Sequence, residues 1–159
     1  QEVRGKPHAL SNRLREPEIK SPFSAYLAEK YVPDSQVQAA IYRRLSAAND
    51  ETSLIQMETE ISERFGPLPT EAQQLIWLIR IKILLRKLGV KTAAIGDGRV
   101  TVQFFDDAQA SPQALMALMK EFPGQIRITP ESKVLFEVGT QKIQEIFGKL
   151  EKLLGSLVS

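Results

Sequence analysis

Glu63-Arg64-Phe65-Gly66-Pro67-Leu68-Pro69 decides how this chain folds. Gly66 suits the left-handed residue that closes a helix, and Pro67 lacks an amide proton and clashes with a preceding helical turn. Thr70 is then placed to cap a second helix, with Glu71 near its positive end. Arg64 to Pro69 therefore reads as a rigid corner between two helices. It supplies no nucleophile, base or metal ligand, so it argues for architecture before chemistry.

Upstream of the corner, Asp34 caps a helix over about 35–48, with Val37, Ala40, Ile41, Leu45 and Ala48 recurring at three and four. Asn49-Asp50 breaks it, and a second helix carries Leu54, Met57, Ile61 and Phe65 on one face. The third helix, about 71–88, is apolar on most sides (Leu75, Ile76, Trp77, Leu78, Ile79, Ile81, Ile83, Leu84, Leu85), which predicts a central position. Residues 18–27 read as extended, with Pro22 suited to a sheet edge. Residues 1–17 are polar and read as a flexible lead-in.

Beyond Gly89 the pattern changes. Lys91–Ile95 and Arg99–Phe105 read as strands joined by Gly96-Asp97-Gly98. Ser111-Pro112 opens a helix with Leu115, Leu118, Met119 and Phe122 inward, and Pro123-Gly124 ends it. Gln125–Thr129 and Lys133–Val138 read as two more strands. Thr140 caps a last helix bearing Ile143, Ile146, Phe147, Leu150, Leu153 and Leu154. The hairpin-helix unit thus occurs twice, and two such units predict a four-stranded, mainly antiparallel sheet with both helices on one face. The fold class is α+β, three helices followed by ββαββα.

Composition bounds the chemistry. The 159 residues carry 21 basic and 19 acidic side chains, net +2, too balanced for a broad polyphosphate-binding field. There is no cysteine and one histidine, His8, so a catalytic triad would depend on the lead-in and a His/Cys zinc site is not available. Asp106-Asp107 follow a strand, where adjacent side chains point oppositely and do not share a proton. Gly96-Asp97-Gly98 lacks the spacing of a phosphate loop and joins strand to strand. The longest apolar run, Leu75–Leu85, is interrupted by Arg80 and Lys82 and falls short of the roughly 20 residues a membrane span needs.

Basic side chains are the remaining candidates. Arg43 and Arg44 project from the first helix, and Arg80, Lys82, Arg86 and Lys87 from the third. Gln73, Arg80 and Lys87 are spaced by seven and form a polar stripe. Three readings stand: solvated or snorkelling charge, a docking face for an acidic partner, or phosphate contact without aromatic stacking beside it. Tyr42 and Trp77 sit among apolar positions and read as core, with interface anchoring as the alternative.

Four stretches occur in order: Tyr31-Val32-Pro33-Asp34, Ile41-Tyr42-Arg43-Arg44-Leu45, Arg64-Phe65-Gly66-Pro67-Leu68-Pro69, and Ile79-Arg80-Ile81 leading to Lys87-Leu88-Gly89-Val90. This set resembles the C-terminal domain of the bacterial transcription-repair coupling factor family, with Glu63 for the family's Asp and Val90 for its Ile. The resemblance spans about residues 16–154. It implies a regulatory domain over 18–157, with a helical lobe at 34–89 and a hairpin-helix lobe at 90–157.

It further implies a piece of a longer cytoplasmic protein, an ATP- and Mg-dependent DNA translocase that displaces stalled RNA polymerase. That parent recruits the damage-recognition subunit of the excision nuclease. The domain itself is implied to be non-catalytic and without cofactor. It would dock on the parent's N-terminal module, masking the recruiting surface, with Arg80, Lys82, Arg86 and Lys87 as candidate contacts. An accessory DNA-binding module of the same translocase is the alternative.

Overall fold

The computed structural model describes residues 16–106 and 111–158; His8 and Asp107 lie outside them. In chain order the elements are β1 (Glu18–Lys20), α1 (Ser35–Ser46), α2 (Glu51–Phe65), α3 (Thr70–Lys87), β2 (Val90–Gly96), β3 (Arg99–Phe104), α4 (Pro112–Glu121), β4 (Ile126–Ile128), β5 (Val134–Glu137) and α5 (Ile143–Val158). The described residues form two compact units, one holding Pro22–Ile83 and the other holding residues 16–21 together with those from Leu84 onward.

The helical unit is built by caps and stripes. The Asp34 carboxylate accepts from the Gln36 and Val37 amides, and the Asp50 carboxylate from the Ser53 amide, so both helix starts satisfy donors that have no partner within the helix. Ile41 and Leu45 of α1, Leu54, Met57 and Ile61 of α2, and Ala72, Ile76 and Ile83 of α3 bury into one cluster with Leu27 and Val32. Each large aliphatic side chain buried there contributes about 1.5–3 kcal/mol. The division between units falls at Ile83/Leu84, inside α3, where Ile81, Ile83, Leu84 and Leu85 are buried in succession. An all-round apolar helix suits a segment whose two ends belong to two cores.

The second unit is a five-stranded mixed sheet in the order β1-β2-β3-β5-β4. All pairings are antiparallel except β1 with β2. The hairpin turn has Asp97 and Gly98 both at positive φ, 55° and 73°, as a two-residue turn matched to strand twist requires. Ala93, Ile95, Val100, Val102, Val134, Phe136 and Ile126 alternate onto a buried face. The apolar stripes of α4 and α5, with Leu115, Leu118, Ile146, Leu150, Leu153 and Leu154 buried, are the complementary layer within this unit.

Four details depart from the sequence expectations. One is at α5, which begins at Ile143, so that Thr140 stands two residues before the cap position and accepts the Lys142 amide instead. A fifth strand is present: β1 pairs parallel with β2, matching Glu18, Ile19 and Lys20 to Thr92, Ala93 and Ala94. It ends before Pro22, whose missing amide cannot extend a ladder. Thr70 is the first helical residue and not a cap outside the helix; the Pro69 carbonyl accepts the Gln73 amide at 2.9 Å. Gly66 has φ 95° and ψ −178°, positive φ with an extended ψ in place of the left-handed helical well. Pro67 excludes a helical ψ from the residue before it, and only glycine combines that ψ with positive φ at little cost.

Candidate functional site

The motif residues converge on one assembly in the helical unit. Gly66 closes α2, its amide donating to the Ser62 carbonyl at 2.9 Å, and its own carbonyl accepts the Tyr31 hydroxyl at 2.7 Å. The Tyr31 ring lies 5.8 Å from the Phe65 ring, tilted at 56°, and the Arg64 guanidinium sits 5.0 Å from the Phe65 centroid. Burial holds the Tyr31 phenol above its ordinary pKa. On the far side of the corner Gln73 Nε2 donates to the Leu68 carbonyl at 2.8 Å, while Leu68 packs against the core cluster. The Pro67-Leu68-Pro69 bend is thereby fastened at both ends.

The segment before α1 is fixed by the same means. Tyr42 Oη accepts the Leu27 amide at 2.7 Å, Gln38 Nε2 donates to the Leu27 carbonyl at 2.9 Å, and the Tyr26 amide donates to the Glu71 carbonyl at 3.2 Å. Tyr31, Tyr42 and the corner thus form one hydrogen-bonded frame around Leu27 and Val32. Removing the Tyr31 hydroxyl (Tyr31→Phe) is expected to lower stability by about 1 kcal/mol, since it leaves the Gly66 carbonyl without that donor. Equilibrium urea unfolding checks this, and an unchanged midpoint would remove the hydroxyl from the frame.

The cations are deployed separately. Arg44 makes a two-pronged contact with Glu60, at 2.6 and 3.0 Å, joining α1 to α2 on an exposed surface, whereas Arg43 is exposed. That contact holds the Glu60 carboxyl below its usual pKa and raises that of the guanidinium. Because the folded carboxyl is depressed, its contribution is present above the unfolded pKa and fades as pH falls through the folded one.

Arg80 is 8% exposed, the one buried charged residue among those described. It reaches Glu58 at 3.2 Å and Glu51 at 3.4 Å, both on α2, and stacks 4.5 Å above the Trp77 ring. Its Nε lies within ion-pair distance of Glu51 without hydrogen-bond alignment, so that attraction is electrostatic and not directional.

Arg86 pairs with Glu16 at 2.6 Å, Lys82 is half-buried and Lys87 is exposed. The four expected contact residues therefore share a helix but not an environment. The Gln73–Arg80–Lys87 stripe likewise holds a corner fastener, a buried clamp and one exposed ammonium. What sequence spacing missed is the match between Arg80 and Glu51/Glu58, themselves seven apart on α2. No group of three or more His, Cys, Asp or Glu side chains able to hold a metal ion occurs among the described residues.

Comparison with known proteins gives a consistent result. A family model described as the TRCF domain matches residues 21–115. The chain is 28% identical over 133 residues to the transcription-repair-coupling factor of Rickettsia bellii, covering 84% of this chain and 11% of that protein. For the Escherichia coli protein of the same name the identity is 24% over 127 residues, covering 80% and 11%. The chain thus spans about a tenth of the length of these curated relatives. A crystal structure of the C-terminal domain of transcription-repair coupling factor shares the fold, with a TM-score of 0.74 at 21% identity, covering 91% of this chain and 94% of that one.

Proposed function

The chain belongs to the TRCF domain family, and from that premise we propose that it acts as a non-catalytic, autoinhibitory docking domain within a transcription-repair coupling factor. The observation that carries the reading is the use made of the motif residues. Tyr31 bonds the Gly66 carbonyl, Gln73 the Leu68 carbonyl and Tyr42 the Leu27 amide, so the motif's polar groups are spent on a rigid frame and form no convergent reactive pair among the described residues. A frame of that kind suits a surface to be presented to a partner.

In this reading the partner is the N-terminal module of the same protein, which the domain covers until polymerase and DNA remodel the parent. ATP and Mg serve the parent's motor and not this domain, and the parent works in the cytoplasm. No helix among the described residues is long and apolar enough to cross a membrane. A reversible clasp needs only modest coupling, about 1–3 kcal/mol, to shift the closed–open balance by one to two orders of magnitude. Lys87 is the exposed cation of the four candidate contacts and the one most readily offered to that partner.

Deleting residues 16–154 from the parent is the test. Basal ATPase and affinity for the nuclease's damage-recognition subunit are both expected to rise by about 5- to 100-fold. Unchanged values for both would sink the clasp.

A further inference from the structure

The outer face of the sheet carries a pattern that the docking reading does not use. Alternation places one residue from each strand in a row across it, and the pairings run Lys20, Ala94, Thr101, Leu135, Arg127. Both ends of this row are cationic, and its floor is small or aliphatic. Ala94 is exposed, and Thr101 and Leu135 are half-buried, so the face is open. Four inter-strand spacings put the two end positions about 19 Å apart. A helix with its side chains is about 10–12 Å across, which fits between them with room for a carboxylate on either flank.

The adjoining row pairs Arg99 with Glu137. Arg99 Nε approaches Glu137 at 3.2 Å and Arg127 donates to the same carboxylate at 2.6 Å, with the two arginine side chains 54% and 57% exposed. One carboxylate serves two guanidiniums, so this cluster keeps a net positive charge and has donors to spare.

We propose that this face docks an acidic amphipathic helix of a protein partner. Its apolar stripe would lie on Ala94, Thr101 and Leu135. Its carboxylates would reach Lys20 on one flank and the Arg99–Arg127 pair on the other. A nucleic-acid backbone fits less well, because Glu18 and Glu137 stand among the cations and the row holds no aromatic ring for a base to stack on. The assignment does not depend on the autoinhibitory reading.

The test uses the whole 159-residue chain and a fluorescein-labelled synthetic helix with a leucine stripe flanked by glutamates. A lysine-flanked version and a duplex oligonucleotide serve as controls. Binding of the glutamate peptide is expected, with amide shifts centred on Ala94, Thr101 and Leu135. The double variant Arg99→Glu/Arg127→Glu is expected to weaken it at least about tenfold. Glu137→Gln is expected to tighten it about threefold, because the competing internal carboxylate is gone. A purely structural ion pair would not produce that gain. Absence of peptide binding, an unchanged or weakened affinity in Glu137→Gln, or tighter binding of the duplex than of the peptide would each overturn the proposal.

Discussion

Arg80→Glu is expected to destabilise the helical unit by about 3–5 kcal/mol, enough to unfold it at moderate urea. The guanidinium is 8% exposed, 3.2 Å from Glu58 and 3.4 Å from Glu51, and 4.5 Å from the centroid of the Trp77 ring. Reversal would bring a third carboxylate into the space where two already converge, and would remove the cation that Trp77 stacks against. Glu51 is more than half exposed, so solvent screens part of the repulsion and the lower end of the range is the better expectation.

Arg80→Met keeps much of the aliphatic stem and is expected to cost less. Lys87→Glu, one heptad further along the same helix but exposed, should stay within about 0.5 kcal/mol. Urea midpoints followed by Trp77 fluorescence separate the three variants. Equal effects of Arg80→Glu and Lys87→Glu would refute the clamp. The comparison also decides how docking should be probed. Reversing Arg80 together with its neighbours would abolish binding by unfolding the domain, whereas Lys87→Glu alone tests the surface.

The difference between Arg80 and Lys87 shows where sequence reading stops. Spacing by seven places both on one side of α3, and to that extent the stripe was visible. The helix passes from one compact unit to the other between Ile83 and Leu84, so residues on one side of it meet different surroundings. Helical periodicity carries no information about that change. Locally determined features were legible: Asp34 and Ser111 as caps, the Asp97-Gly98 turn, and the helical stripes of α1 and α2. Each depends on a few neighbouring residues and on φ/ψ preferences.

Non-local features were not legible. The residues of β1 read as extended chain, but three residues specify no partner, and theirs is parallel and more than seventy positions away. The Tyr31–Gly66 hydrogen bond spans 35 residues and joins two of the motif segments, yet no periodicity links them. The weak repeat did carry tertiary information. β3 and β5, the second strands of the two repeated hairpins, are neighbours in the sheet and pair Val100 with Phe136 and Val102 with Val134.

Phe136→Ala should cost the sheet unit about 3–5 kcal/mol, the second large effect expected. Phe136 is fully buried and sits opposite Val100 on β3 and Ile126 on β4, at the junction of the two hairpins. Truncation would leave a cavity bounded by strands on both sides, whose pairings limit how far it can collapse. Leu135, one residue earlier, faces the other way. Leu135→Ala should cost no more than about 1 kcal/mol, because its side chain is already part-solvated. Denaturant unfolding of the two variants measures the contrast directly.

The pair also tests the register on which the docking surface depends. A slip of one residue in β5 would exchange the two faces, bury Leu135 and expose Phe136. Leu135→Ala costing more than Phe136→Ala would therefore remove the row from Lys20 to Arg127 along with the buried face behind it. The expected order leaves the cationic row outward and open to an acidic helix.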